Sequence, residues 1–261
     1  MSQPPVLRLN PALDPAAFAD AYARDGVVRI PEVFEPAVVE RLAGILEQTI
    51  DWDIICSNER GEAEVISRAR RAELGDQAVA DRLHAATLRA RSGFAYVYLG
   101  YPMIDAFVAG RDPGHPIHEL TAFLNSPEFF AFGAAVTGET GITKIDGQAT
   151  CYRPGDFLTQ HDDTGVGERL AAYTLGLTRQ WRPDWGGQLL FNDDHGDVSR
   201  GFAPAFNVLT LFKVPAAFGG AGRTLRRRPA ADGDGLAAQR SAEWPRLSAA
   251  FRRSSTPGRR S

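Results

Sequence analysis

The sequence predicts an α+β fold with a mainly β core, in which N-terminal helices buttress a sandwich or barrel of antiparallel strands. Three observations carry that expectation. The hydrophobic period is 3.6 residues up to about Gly138 and 2 residues beyond it, so helices come first and strands follow. Apolar residues make up 44% of the 261, enough to bury a substantial core. A chain of this length accommodates one large β-rich domain, and no internal repeat divides it.

The elements follow in order. Asp14 or Pro15 starts a helix that Gly26 ends, because glycine accepts the left-handed conformation a helix terminus asks for. VVRIPEVF is a short strand. The next segment, EPAVVERLAGILEQTI, spaces Val38, Val39, Leu42, Ile45 and Leu46 along one face of a helix. Residues 60–93 are charged and Ala-rich and predict helix, and GFAYVYLGYPM alternates as a strand. HELTAFLNSPEFFAFGAAVTGE predicts one helix or two. After it ITKIDGQATCY, DFLTQHDD, RLAAYTLGLT, GGQLLFN and FNVLTLFKV are strands, separated by Gly, Pro, Asp and Asn turns. These readings divide the chain into a helical support region, 1–138, a strand-rich core, 139–217, and a tail, 218–261.

Composition narrows the function classes. A net charge of −3 argues against nucleic acid as an obligatory partner. No basic segment leads into an apolar signal core, and no apolar run approaches the roughly 18 residues of a membrane span. A soluble, cytoplasmic protein without a membrane partner is the expectation. Cys56 and Cys151 are too few for a disulfide framework and are expected as reduced thiols. The tail differs from the body. Residues 219–261 hold ten Arg against Asp232, Asp234 and Glu243, so the tail is +7 and the body −10. It has no sustained period, and its composition favours disorder. A basic tail could also meet an anionic partner.

The chemistry concentrates at residues 151–163, CYRPGDFLTQHDD. His161 and Asp163 stand two apart at the end of an alternating run, and residues i and i+2 of a strand share a face. An imidazole and a carboxylate so placed are two of the three donors of a 2-His-1-carboxylate iron site. Asp162 points the other way and suits a turn.

The block from CYRPGDFLTQHDD through ERLAAYTLGLTRQWRPDWGGQLLFND to RGFAPAFNVLTLFKVP resembles the prolyl 4-hydroxylase-like branch of the iron(II)/2-oxoglutarate-dependent dioxygenases. The resemblance covers about residues 20–215 and is specific in 150–215. It implies a double-stranded β-helix (jelly roll) with the N-terminal helices packed on one sheet. It implies Fe(II) bound by His161 and Asp163, 2-oxoglutarate as cosubstrate, O₂, and a protein or peptide substrate, most plausibly proline. L-ascorbate is a candidate accessory cofactor. Tyr152 and Tyr173 resemble the phenols that line the 2-oxoglutarate pocket, core packing being the alternative for each. The implied reaction couples decarboxylation of 2-oxoglutarate to succinate with hydroxylation of the side chain.

Two expected parts are missing from the chain as written. The family pattern places a second histidine on a later strand and an arginine beyond it. No histidine follows His195, which falls in an NDDHGD turn, and His115 and His118 lie far upstream. The C-terminal strands are accordingly expected to be incomplete. Codons for the residues from Ala216 onward, read one base forward, can spell His across Ala217–Phe218, Pro-Phe across Thr224–Arg226, Arg across Ala230–Ala231 and Gly-Trp across Gly235–Ala237. The tail is therefore expected to be a frameshifted version of the family's ending. Three readings stay open for such a chain: a dioxygenase of this branch, inactive if the distal histidine and the arginine are lost; a non-catalytic pseudoenzyme; or a metal-independent binding barrel.

Overall fold

The computed structural model describes residues 5–161, 169–214, 217–218, 220–221, 223–225 and 244–252. Seven helices lie within the N-terminal region: α1 Ala16–Asp25, α2 Pro36–Gln48, α3 Arg68–Leu74, α4 Asp76–Arg89, α5 Met103–Val108, α6 Ile117–Leu124 and α7 Pro127–Thr137. Among them run β1 Val27–Pro31, β2 Asp53–Ser57, β3 Ala63–Ile66 and β4 Tyr96–Tyr101. The strand-rich region holds β5 Lys144–Ile145, β6 Gln148–Tyr152, β7 Phe157–Leu158, β8 Arg169–Gly176, β9 Leu189–Asn192, β10 Val198–Phe202 and β11 Val208–Lys213. Short strands β12 Ala217–Phe218, β13 Gly220–Ala221 and β14 Arg223–Leu225 follow, then β15 Trp244–Arg252.

The strands form two facing antiparallel sheets, the jelly-roll arrangement, and a separate two-stranded pair of β12 and β13. The large sheet runs β1-β11-β8-β15-β6-β4-β2-β3, with β5 beside β15 and β7 beside β4. The small sheet runs β10-β9-β14. Each strand of the large sheet has two faces, and alternation sorts its side chains between them. The outer face carries Ile30, Leu209, Leu211, Tyr173, Leu175 and Ala149, packed with Val39, Leu42 and Leu46 of α2 and with Leu120 and Phe129 of α6 and α7. On the inner face Val27, Ala172 and Phe212 meet Leu189, Phe191 and Phe202 of the small sheet, with the Phe191 and Phe212 rings 5.4 Å apart.

Local chemistry sets the helix ends. Gly26, at φ +64°, closes α1, as its position in the sequence predicts. Of the one helix or two expected over 118–139, the structure has two. The Ser126 hydroxyl accepts from the Phe129 amide, and Pro127 occupies the first turn of α7, where its missing N–H costs nothing. The helical expectation for 60–93 holds for α3 and α4 but not for β3. That strand pairs with β2, whose five residues are all buried. Only Ile66 of β3 is buried, so the strand has too little apolar pattern to be recognised from sequence.

Asn207 ties β1 to β11 at the point where the second sheet departs. It sits at φ +59°, its side chain accepting from the Phe34 amide at 3.0 Å and donating to the Phe34 carbonyl at 2.8 Å. Its own amide donates to the Gly176 carbonyl at 2.8 Å. Gly176 must lack a side chain, because a Cβ there would stand 2.0 Å from the Ala205 carbonyl oxygen.

The sequence shows no period beyond residue 218, yet the described parts of that stretch are strands. β15 pairs with β6 on one side, from Trp244 opposite Tyr152 to Ser248 opposite Gln148, and with β8 on the other. Ladder pairing asks for backbone N–H and C=O groups rather than a side-chain period, so two adjacent strand edges can recruit an unpatterned segment. The rest of the stretch expected to be disordered or frameshifted lies outside the described residues. Cys56 and Cys151 are free and buried, and no described helix is long and apolar enough to cross a membrane.

Asn207→Ala should lower stability by about 3 kcal/mol, through two lost buried hydrogen bonds and a side chain forced into positive φ. Asn207→Gly keeps the backbone conformation available and should cost less, about 2 kcal/mol. Urea midpoints of the two variants against the parent chain measure both. Equal costs would show that φ contributes nothing.

Candidate functional site

The inner face of β4 and β6 carries the site. On β4, Val97, Leu99 and Tyr101 turn outward toward the helices, which leaves Tyr96 and Tyr98 on the inner face. On β6, Ala149 and Cys151 turn outward and Tyr152 turns inward. Tyr152, Tyr96, Tyr98 and Ile55 form one buried cluster, against which Leu158 and Trp185 pack. Trp185 arrives from the β8–β9 loop, whose shape is held by the Trp181 indole donating to the Gly186 carbonyl at 2.9 Å. The Gln148 side-chain amide donates to the Tyr98 hydroxyl at 3.3 Å, so this face presents oriented polar groups among the rings. Burial pushes the Tyr96 phenol above its ordinary pKa and keeps it protonated, a hydrogen-bond donor at neutral pH.

His161 stands at the rim of this face. Residues 157–159 run antiparallel to the start of β4, with the Thr159 amide donating to the Ala95 carbonyl at 3.0 Å. The His161 ring lies 5.3 Å from Phe94, which is 41% exposed. From there the aromatic contacts continue inward without a break. Phe94 to Tyr96 is 5.2 Å, Tyr96 to Tyr98 is 5.7 Å, and Tyr98 to Tyr152 is 5.4 Å, all in tilted ring pairs.

The structure places His161 and Tyr152, two of the residues the sequence singles out, at opposite ends of one run of rings, separated by Phe94, Tyr96 and Tyr98. It does not bring Tyr173 to them. Residues 171, 173 and 175 of β8 all enter the outer core, and Tyr173 is 1% exposed there, its hydroxyl 3.4 Å from the Asp146 carbonyl it donates to. Of the two readings open for Tyr173, its place is that of a core residue, because alternation sends it to the face opposite Tyr152. Asp163 lies outside the described residues. Phe94, Tyr96, Tyr98 and Gln148 belong to this face and are not singled out by the sequence reading. Their signal is the i, i+2, i+4 spacing of aromatics in GFAYVYLGY, legible as one strand face.

The donors present do not fit a complete three-ligand iron site. Among the described residues no group of three or more His, Cys, Asp or Glu could hold a metal ion. The other histidines have different surroundings. His115 and His118 contact the backbone carbonyls of Thr49 and Arg111, His84 is exposed on α4, and His195 is exposed in the β9–β10 turn. His161 and Asp163 are two donors, and the sequence places no histidine after His195 to be the third.

Two facing antiparallel sheets backed by helices form a jelly roll, with a histidine at the rim of its aromatic inner face. Residues 147–220 match the family model described as the 2OG-Fe(II) oxygenase superfamily. The fold is similar to that of a Pseudomonas putida prolyl-4-hydroxylase, at 18% identity and a TM-score of 0.52, covering 92% of this chain and 99% of that one. It is also similar to a 2OG-Fe(II) oxygenase-family oxidoreductase from Burkholderia pseudomallei, at 13% identity and a TM-score of 0.53, covering 97% and 96%. A Trichoplax adhaerens prolyl hydroxylase, solved in complex with a hypoxia inducible factor oxygen degradation domain peptide fragment, matches at 13% identity and 0.53, covering 90% and 88%. No curated protein matches by sequence. The family model matches 74 of the 261 residues, and the similar structures show a shared fold, that of prolyl-4-hydroxylase-like oxygenases.

The placement of Tyr173 has a direct consequence. Tyr173→Ala should destabilise by about 3–5 kcal/mol, as for other buried aromatics, whereas Tyr173→Phe loses one long hydrogen bond and should cost no more than about 1 kcal/mol. Thermal unfolding of the two variants distinguishes a packing residue from one whose hydroxyl is essential.

Proposed function

We propose that this fold serves an iron(II)- and 2-oxoglutarate-dependent dioxygenase that hydroxylates a protein side chain, with peptidyl proline as the substrate class. The observation that carries the reading is the inner face itself, where His161 and Tyr152 are joined by one unbroken run of aromatic rings. In this reading His161 and Asp163 hold the metal, and the Tyr152 hydroxyl donates to a carboxylate of 2-oxoglutarate. Residues around Trp185 and Tyr98 exclude water from that pocket. The matched family and the prolyl hydroxylases among the similar folds support the substrate class. Tyr173 supports the sheet from behind rather than touching the cosubstrate.

The same reading makes the chain as written a poor catalyst. Two donors hold iron(II) much more weakly than three, and the arginine fork for the distal carboxylate has no counterpart where the family pattern expects it. The codon reading from Ala216 onward attributes both losses to a shift of one base. A chain in this state is a pseudoenzyme on a catalytic scaffold.

Iron content and turnover test this together. The chain reconstituted with Fe(II) should retain well under one equivalent after desalting, less still as His161→Ala, and should release no 2-oxoglutarate-dependent CO₂ with a proline-containing peptide. A chain re-encoded in the shifted frame from codon 216 should gain both stoichiometric iron and CO₂ release. Stoichiometric iron in the chain as written would sink the two-donor account. A re-encoded chain that stays iron-free would sink the frameshift account.

A further inference from the structure

Strands β2 and β4 pair from Asp53 opposite Gly100 to Cys56 opposite Val97, and there their ladder ends. Past that point side chains tie the β2–β3 turn, residues 58–62, to the start of β4. The Ser57 hydroxyl accepts from the Tyr96 amide at 3.3 Å. The larger part falls to Arg89, the last residue of α4. Its Nε donates to the Phe94 carbonyl at 3.0 Å and its Nη1 to the Glu59 carbonyl at 3.2 Å. A guanidinium is planar and rigid, so these two bonds fix the carbonyls relative to each other as well as to the arginine.

The surroundings of Arg89 suit that role on both sides. Its own carbonyl accepts from the Ser92 and Gly93 amides at 2.9 and 3.1 Å, so the connection from α4 to β4 is wound around this one residue. On the turn side the guanidinium rests on Gly61, which stands at φ +85°. A Cβ there would come within 2.3 Å of Nη2 and 2.6 Å of Cζ. The bare Cα of residue 61 is thus the seat of the guanidinium. Asn58 keeps the turn in shape: its side-chain oxygen accepts from the Arg60 and Glu62 amides, each at 2.9 Å.

We propose that Arg89 is a strap joining the β2–β3 turn to the mouth of the barrel, so that residues 58–62 and 93–96 open and close as one unit. Phe94 is the exposed ring at that mouth. A ligand entering over it meets an edge fixed by Arg89, and pushing Phe94 outward lifts the turn as well. The strap uses no metal and no catalytic group, so it stands or falls independently of the dioxygenase reading.

Native-state amide hydrogen exchange of the full chain reads the strap segment by segment. Arg89→Met keeps the alkyl stem and removes the donors. It should speed exchange by about tenfold in both 58–62 and 93–96, the order expected for a lost hydrogen-bonded tie, and leave β8 and β11 unchanged. Gly61→Ala evicts the guanidinium and should speed 93–96 too, because Arg89 is its link to that segment. Positive φ strains any L side chain at 61, so the control is Gly61→Ala combined with Arg89→Met. There the added alanine should loosen 58–62 further and leave 93–96 where Arg89→Met alone put it. Exchange at 93–96 that ignores Arg89→Met overturns the proposal. So does a Gly61→Ala effect on 93–96 that is equal with and without the arginine. Faster exchange throughout β8 and β11 overturns it as well, since Arg89 would then support the whole fold rather than join two segments.

Discussion

A strand offers its two sides to different surroundings, and in this molecule the difference is absolute across the large sheet. Helices α1, α2, α6 and α7 bury the outer face, taking up Ile30, Leu209, Leu211, Leu175 and Tyr173. Whatever chemistry the barrel performs is left to the residues in between. A one-residue slip of β4 or β6 would exchange Tyr98 and Tyr152 for Leu99 and Cys151, emptying the inner face of hydroxyls and sending phenols under the helices. Register is thus the quantity on which both stability and site depend. Asn207 and Gly176 are two of the places that set it, one by substituting for a missing backbone partner and one by allowing two backbones to approach.

Much of this was legible before any coordinates. The change of period near Gly138, the helix stop at Gly26 and the aliphatic stripe of α2 have local causes, and they read correctly. What could not be read has a common physical origin. β2 is buried on both faces and so has no alternation. The placement of Tyr173 turns on which face of β8 meets the helices, a tertiary fact that the symmetric pattern of RLAAYTLG leaves undecided.

The site was legible as chemistry and only partly as geometry. His161 announces itself through its spacing to Asp163, and Tyr152 through its position upstream. Phe94, Tyr96 and Tyr98 lie more than fifty residues earlier in the chain and are ordinary strand aromatics until the sheet is assembled. Their contribution is supportive: they line the face between the exposed rim at Phe94 and the buried Tyr152. Polar groups on an aromatic inner face act more strongly than in water.

The position of β15 has a consequence for how the chain comes to be folded. β6 and β8 are close in sequence, yet they do not pair; residues 244–252 stand between them. During synthesis both strands leave the ribosome with facing edges unsatisfied, and they must wait for nearly seventy further residues to emerge. Closing a sheet through so distant a segment is slow, and an open edge in the middle of a barrel is a place where other chains can pair. The molecule therefore spends its most vulnerable interval with an unsealed seam beside the inner aromatic face. Its yield in a cell is set as much by what shields that seam as by the stability of the finished fold.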